Sequence, residues 1–225
     1  MVPPSGIKDR LYESFAGIGK AVSNPHRLEL MDLLAQGEKP VDRLASQTGL
    51  SVANASAHLK VLHTARLVAW RRDGKHVVYR LAGEPVEAFW LALTRLGEGV
   101  MPEVRETLRD YYSEPDRILP QHRQALLERV ARGEVVLLDV RGEDEYLAGH
   151  LPGAVSAPLE KLPRLIKTLH PAKDVVAYCR GPYCVMAAKA VELLRKKGFT
   201  AYRMEEGVME WRADGQTLET GGVHS

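Results

Sequence analysis

The sequence predicts two domains: a mainly-α N-terminal half with one β-hairpin, and an α/β C-terminal half built on a central parallel sheet. Three observations carry that prediction. Apolar residues recur at helical spacing through the first half and are interrupted by two β-rich runs around Asp73-Gly74. From about residue 121 onward, strand-like and helix-like segments alternate. Between these regions the composition shifts at Ser113-Glu114-Pro115, so the expected division is 1–112, a linker at 113–119, and 120–225. A chain of 225 residues with 45% apolar content has enough material for two small cores. Its net charge of +2 does not announce a polyanionic partner, so any such claim must rest on local clustering.

Leu11, Phe15, Ile18 and Val22 stand three or four apart and form one face of a helix. A second helix starts at Ser23-Asn24-Pro25, where an N-cap residue precedes a proline at the first helical position. Gly37 and Pro40 end it. Two short helices follow, Val41–Thr48 and Val52–Thr64, separated by Gly49, with Ser51 as N-cap of the second. Leu67–Arg72 and Lys75–Leu81 flank Asp73-Gly74 and predict a hairpin. Pro85–Tyr112 reads as one long helix with an apolar stripe including Phe89, Trp90, Leu96, Val100 and Val104. That stripe needs a surface, either its own domain or a dimer seam shared with the first helix.

In the second half, a helix over about 121–132 leads to a strand at Val135–Val140. A helix is expected at Leu159–Leu169, a strand at Asp174–Tyr178, and a helix at about Tyr183–Lys197. Thr200–Met204 is a further strand and Val208–Ala213 a short helix. Alternation of this kind implies a parallel sheet covered on both faces. No apolar run is long enough to span a bilayer, and Met1–Arg10 lacks the apolar core of a secretory signal. The only two cysteines, Cys179 and Cys184, are too close and too few for a disulfide scaffold. A cytoplasmic protein with reduced thiols, no membrane and no cofactor is expected.

The order of four helices, a hairpin and a further helix, with a tight turn at Gly49-Leu50-Ser51, is that of a winged helix-turn-helix. Asn24-Pro25-His26-Arg27 with Leu28 and Leu30, and Ser51-Val52-Ala53-Asn54-Ala55-Ser56-Ala57-His58-Leu59-Lys60-Val61-Leu62, resemble the ArsR-type repressors over roughly Leu11 to Leu108. The resemblance implies a dimer, joined through the first and fifth helices, whose fourth helix enters the major groove of a double-stranded DNA operator. The residues agree. Ala55, Leu59 and Leu62 make a buried face, leaving Asn54, Ser56, His58 and Lys60 on or near the open side. Asn can pair with adenine, and Ser, His and Lys can hold phosphates. Lys60, Arg66, Arg71, Arg72, Lys75 and Arg80 form a local basic stripe against one acid, Asp73, with Arg71, Arg72 and Lys75 on the wing. Taken alone, such a stripe is equally a solvated face. Many ArsR-type proteins sense metals through a cysteine pair on the third helix. Val41–Gln47 holds no cysteine, so a thiolate metal site in this half is excluded and no metal site is expected.

Four segments resemble the rhodanese family over about Pro120 to Gly215: Leu138-Asp139-Val140-Arg141 with Glu145, Gly149–Ala154, Val175–Cys179, and Gly207-Val208-Met209-Glu210-Trp211. The resemblance implies that Cys179 accepts a sulfane sulfur as a persulfide. A thiol at a strand end, four residues or so before a helix, faces converging N–H groups that favour an anion and lower its pKa. In this loop Gly181 permits an unusual backbone angle, Pro182 fixes the turn, and Tyr183 completes the cradle. Arg180 adds a cation suited to an anionic donor such as thiosulfate. Without its flanking motifs Cys179 would read as a buried structural thiol. Asp139, Arg141 and His150 read as structural ties.

The loop departs from the family, since glycine comes one place early and the usual later Arg or Ser is Cys184. The arginine of the related phosphatases is replaced by Val185, which argues against phosphate-ester hydrolysis. Cys184 is either a resolving thiol or a small apolar residue in the first helical turn. The expected function is a transcriptional regulator, of repressor type, that reads a small sulfur donor or oxidant at Cys179. The alternatives are a thiosulfate-type sulfurtransferase and, more weakly supported, an arsenical sensor using the two thiols.

Overall fold

A computed structural model describes residues 5–111, 117–118 and 122–222. The chain forms two compact units, Met1–Ala92 and Leu93–Ser225. The sequence-expected linker at 113–119 falls mostly outside the described residues.

The first unit opens with α1 (Ser5–Val22) and α2 (Pro25–Ala35). The Asn24 side chain caps α2 by accepting from the Arg27 N–H at 3.2 Å, with Pro25 at the helix start, as the sequence predicts. A two-residue strand, β1 (Lys39–Pro40), precedes α3 (Val41–Thr48) and α4 (Val52–Thr64). Between α3 and α4, Gly49 is the left-handed C-cap of α3 and Ser51 caps α4, accepting from the Asn54 N–H at 3.2 Å. Ala55, Leu59 and Leu62 are fully buried, as are Leu30, Met31 and Leu44. Each buried leucine contributes about 1.5–3 kcal/mol and fixes which side of α4 faces out. The hairpin is β2 (Val68–Asp73) and β3 (His76–Leu81), and β1 joins its other edge in the order β1-β3-β2. Asp73 pairs with His76, so the two-residue turn is Gly74-Lys75, one position later than the Asp73-Gly74 expected.

The long helix predicted over Pro85–Tyr112 is two helices, α5 (Glu84–Val100) and α6 (Pro102–Tyr111). Pro102 is the cause: its ring disfavours helical geometry at Met101, and it has no N–H to continue the ladder. The Arg105 side chain donates to the freed carbonyls of Glu98 and Gly99 at 2.7 and 3.0 Å. Of the predicted stripe Trp90 is buried, while Leu96 and Val100 are exposed.

The second unit contains a wholly parallel five-stranded sheet in the order β4-β8-β7-β5-β6, where β4 is Arg117–Ile118, β5 Val135–Asp139, β6 Val155–Ser156, β7 Asp174–Tyr178 and β8 Ala201–Met204. Its helices are α7 (Arg123–Ala131), α8 (Glu143–Ala148), α9 (Leu162–Leu165, continued by a 3-10 turn), α10 (Met186–Lys196) and α11 (Val208–Ala213). Side chains alternate across the sheet. Leu138, Val175, Ala177 and Cys179 pack with α9 and α10, while Leu137, Val176 and Tyr178 pack with α7, α8 and α11. The parallel sheet with two covered faces matches the prediction. α10 starts at Met186, three residues later than expected, so Cys184 lies in the loop and not in a first helical turn.

Candidate functional site

The loop Cys179–Val185 connects the C-terminal end of β7 to α10, the place where parallel sheets present their ligand-binding edge. Cys179 is 2% exposed and its side chain joins the apolar cluster beneath α10. Its Sγ donates to the Cys184 carbonyl at 3.2 Å. Cys184 is half-buried at the outer end of the loop. The loop closes on itself through the Cys184 N–H, which donates to the Gly181 carbonyl at 3.2 Å.

Two sets of backbone N–H groups meet the sulfurs. Those of Gly181 and Ala187 face Cys179, and those of Arg180 and Met186 face Cys184. Val185, the N-cap of α10, supplies no side-chain cap, so the sulfurs take the helix-end donors instead. The two thiols nevertheless titrate in opposite directions. Burial pushes Cys179 well above the ordinary thiol range, and the neighbouring Cys184 sulfur reinforces the rise. Cys184 is pulled down to about 6, first by the hydrogen bond from Cys179, then by the Arg180 and Met186 N–H groups and the Arg180 charge. The expectation of a lowered Cys179 pKa is therefore reversed in this structure. The N–H cradle is there, but desolvation outweighs it.

The Arg180 charge acts on the Cys184 sulfur, and the same side chain is held by a carboxylate. Its guanidinium grips the buried Glu145 carboxylate at 2.8 and 2.9 Å. Glu145 also accepts from the Gly142 N–H at 3.2 Å, so it ties the cysteine loop to the N-terminus of α8. Gly181 has φ +137°, and a Cβ there would meet the Glu210 carboxylate at 3.1 Å. Gly207 has an ordinary φ but a steric role. A Cβ on it would lie 2.4 Å from the Arg180 carbonyl carbon and 2.6 Å from the Gly181 nitrogen. Glu210 accepts from the Gly207 N–H at 2.9 Å, and burial raises its pKa. Tyr183 is 39% exposed, and its hydroxyl donates to Glu98, also in the second unit. Pro182 occupies the turn.

A rigid polar frame underlies the loop. Arg141 and Asp139 are a fully buried ion pair, with Nε to Oδ1 at 2.9 Å. Arg141 also donates to the Gly149 carbonyl at 2.7 Å. The Tyr178 hydroxyl donates to Asp139 at 2.7 Å and accepts from the Leu151 N–H at 3.1 Å. These bonds tie the strand end to neighbouring loops, as the sequence suggested. His150 likewise anchors its turn, with Nδ1 2.9 Å from the Tyr146 carbonyl and its ring stacked on Tyr146 at 3.7 Å. Glu145, Tyr178, Gly207 and Glu210 were not predicted as site residues. All four stand inside motifs the sequence displays, but their contacts cross from one element to another.

On the first unit, Asn54 and Lys60 are exposed on α4, while Ser56 and His58 are half-buried. The His58 ring lies 5.6 Å from that of His26, and burial with the nearby Arg27 and His26 charges lowers its pKa. Arg71, Arg72 and Lys75 are exposed on the wing. Arg71 is paired with Glu38 and, at 3.1 Å, with Asp73, so the wing is less basic than its sequence implies. Among the described residues no group of three or more His, Cys, Asp or Glu side chains is placed to hold a metal, and no helix is long and apolar enough to cross a membrane.

Residues 24–69 match the family of bacterial regulatory proteins of the arsR family, and residues 122–214 match the rhodanese-like domain. The chain is 39% identical over 221 residues to the HTH-type transcriptional regulator Rv0324 of Mycobacterium tuberculosis, covering 98% of this chain and 97% of the relative. It is 29% identical over 140 residues to a tRNA sulfurtransferase of Desulfurococcus amylolyticus, covering 61% of this chain and 27% of that protein. A solved structure of the homodimeric winged helix-turn-helix DNA-binding domain of Mb0332 from Mycobacterium bovis is 39% identical, covers 44% of this chain and 91% of its own, and superposes with a TM-score of 0.42.

Proposed function

Since the chain belongs to the ArsR-type helix-turn-helix transcriptional regulators that carry a rhodanese domain, we propose that it is a cytoplasmic, dimeric repressor whose hold on a double-stranded DNA operator is set by sulfane sulfur at Cys179 and Cys184. The observation that carries this reading is the cysteine loop. Two thiols share one N–H cradle, and among the described residues no third metal-binding side chain joins them. Persulfidation followed by disulfide or sulfur-bridge formation is chemistry such a pair supports. The functional division follows the expected 1–112 DNA-binding part and 120–225 sulfur-reading part.

For DNA, the support is an outward face on α4 with Asn54 and Lys60 exposed, and exposed Arg72 and Lys75 on the wing. Ser56 and His58 lie at the edge of that face, and Arg71 joins it when DNA competes with its acidic partners. For the dimer, the support is exposed apolar surface on the first and fifth helices: Leu11, Tyr12 and Phe15 on α1, and Leu96 and Val100 on α5. Linkage supplies the switch, because a modification that favours one conformation changes operator affinity.

The test selects an operator from randomised duplex DNA with the reduced full-length protein, then measures fluorescence anisotropy before and after sodium disulfide treatment. Affinity is expected to fall at least about fivefold, the lower end of ordinary allosteric coupling. Unchanged affinity sinks sulfur sensing and leaves DNA binding standing.

A second reading, thiosulfate-type sulfur transfer, is favoured by the N–H cradle and by the likeness to a tRNA sulfurtransferase. The engagement of Arg180 by Glu145 counts against an anionic donor site. Thiosulfate–cyanide turnover lost in Cys179→Ser would establish it.

A further inference from the structure

Base-pair preference rests on the DNA-binding function proposed above and is a separate matter from it. We infer that Val52, Ala53 and Ala57 read thymine methyl groups in the major groove, so that A·T pairs lie under the first two turns of α4. Helix period supplies the geometry. Ala55, Leu59 and Leu62 are fully buried and fix the inner side of α4. At about 100° per residue, Ala53 and Ala57 fall one turn apart on the opposite side. Both are exposed, and Val52 in the first turn is 49% exposed. Ser56 is half-buried toward the inner side. His58 is half-buried too, with its ring 5.6 Å from that of His26 at the start of α2. The polar residues singled out in the sequence therefore border the free face, and small apolar side chains hold its centre. Farther along α4, Val61 and Thr64 line a groove with Phe15 and Ile18 of α1, which leaves the first two turns to enter DNA.

Alanine and valine side chains offer no hydrogen bond to a base edge. The apolar group that a base pair presents in the major groove is the thymine 5-methyl. An apolar centre on α4 covers such methyls at a gain. Against a G·C pair it strands the donors and acceptors of the base edges, which is a cost. Short side chains also let the helix backbone approach the base edges closely. Asn54, exposed at the border of the same face, is a side chain type that pairs with adenine, so both contacts select A·T pairs. Charge identifies DNA, and not a protein, as what covers this face. Lys60 is exposed one turn after Ala57, and Arg72 and Lys75 are exposed on the wing, where they can hold phosphates.

The experiment selects an operator from randomised duplexes with reduced full-length protein. Its thymines are then replaced one at a time by deoxyuridine, which pairs identically and lacks the methyl. Fluorescence anisotropy with the wild-type protein is expected to show a loss of about fourfold in affinity for each covered methyl. Ala53→Gly and Ala57→Gly are each expected to abolish that penalty at one thymine, and Val52→Ala to reduce it at another. A penalty unchanged in all three variants overturns the assignment to these residues. The wild-type arm needs no variant to fold: uridine duplexes bound within about twofold of the operator at every position overturn methyl reading and leave DNA binding standing. Failure to enrich any sequence overturns the DNA-binding reading and methyl reading with it. Uridine-insensitive binding, together with a lower sedimentation mass for Val52→Asp, overturns methyl reading by giving the face to contact between copies of the protein.

Discussion

Two helices in this protein begin at loops beside the proposed functional residues, and they use their free N–H ends in opposite ways. At α4 the end is closed by Ser51, an ordinary side-chain cap, and the polar residues that follow are left facing water. At α10 no side chain caps the helix, and the Met186 and Ala187 N–H groups turn inward to two sulfurs. The first arrangement keeps its fixed charges on the surface, as docking to an extended polyanion requires. The second directs its electrostatics at groups whose charge and bonding can change. In the proposed function, the first region recognises and the second is modified.

The largest way to break this comparison is from inside the second region. Arg141→Ala strands the buried Asp139 carboxylate and is expected to cost about 3–5 kcal/mol in that unit. Chemical denaturation measures the loss, and a cost near zero would show that the polar frame does not hold the loop. In the first region, Leu59→Ala empties a fully buried position under α4 and is expected to cost about 3 kcal/mol, again by denaturation, with DNA affinity falling as the helix loosens. Gly207→Ala drives a methyl into the Arg180 and Gly181 backbone. It is expected to cost about 1–3 kcal/mol and to abolish the difference in thiol reactivity between Cys179 and Cys184 in iodoacetamide mapping.

Smaller effects sharpen the contrast. The wing charges differ among themselves. Arg72→Ala and Lys60→Ala are each expected to weaken DNA binding evenly across sequences and to reduce the slope of log affinity against log salt by about 1. Arg71→Ala should do less, because Glu38 and Asp73 already occupy that guanidinium. Equal losses at positions 71 and 72 would show that DNA displaces those carboxylates without penalty. The thiols supply a pH test of the other region. Cys184 has a folded pKa lowered to about 6, so its thiolate is present above that pH and is lost as pH falls through it. Its alkylation rate should be nearly flat above about pH 7 and drop below about pH 6. A rate that climbs only through the ordinary thiol range would place the lowered thiol elsewhere.

Much of the fold was legible in the sequence because it depends on local rules. The caps at Asn24 and Ser51, the turn at Gly49, the buried spacing of Ala55, Leu59 and Leu62, and the strand at Asp174–Tyr178 follow from residue type and period. Some short elements were not legible. β1, β6 and α8 are two, two and six residues long and exist because a neighbour completes them. The break at Met101 is written in Pro102, although the apolar stripe continues on either side of it. In the cysteine loop, the sequence showed which residues gather but not their condition.

By itself, then, the sequence determined the two folds, the outward face of α4 and the presence of two thiols in one loop at a strand end. Those are properties of periodicity, capping and spacing, which act over a few residues. Only the tertiary structure decided that Arg71 is partly neutralised, that Arg180 serves Glu145, and that burial raises Cys179 while its neighbour falls. Each of these depends on how deeply a group is desolvated and which charge or dipole comes to lie beside it. Those quantities are fixed by packing between elements that are distant in the chain.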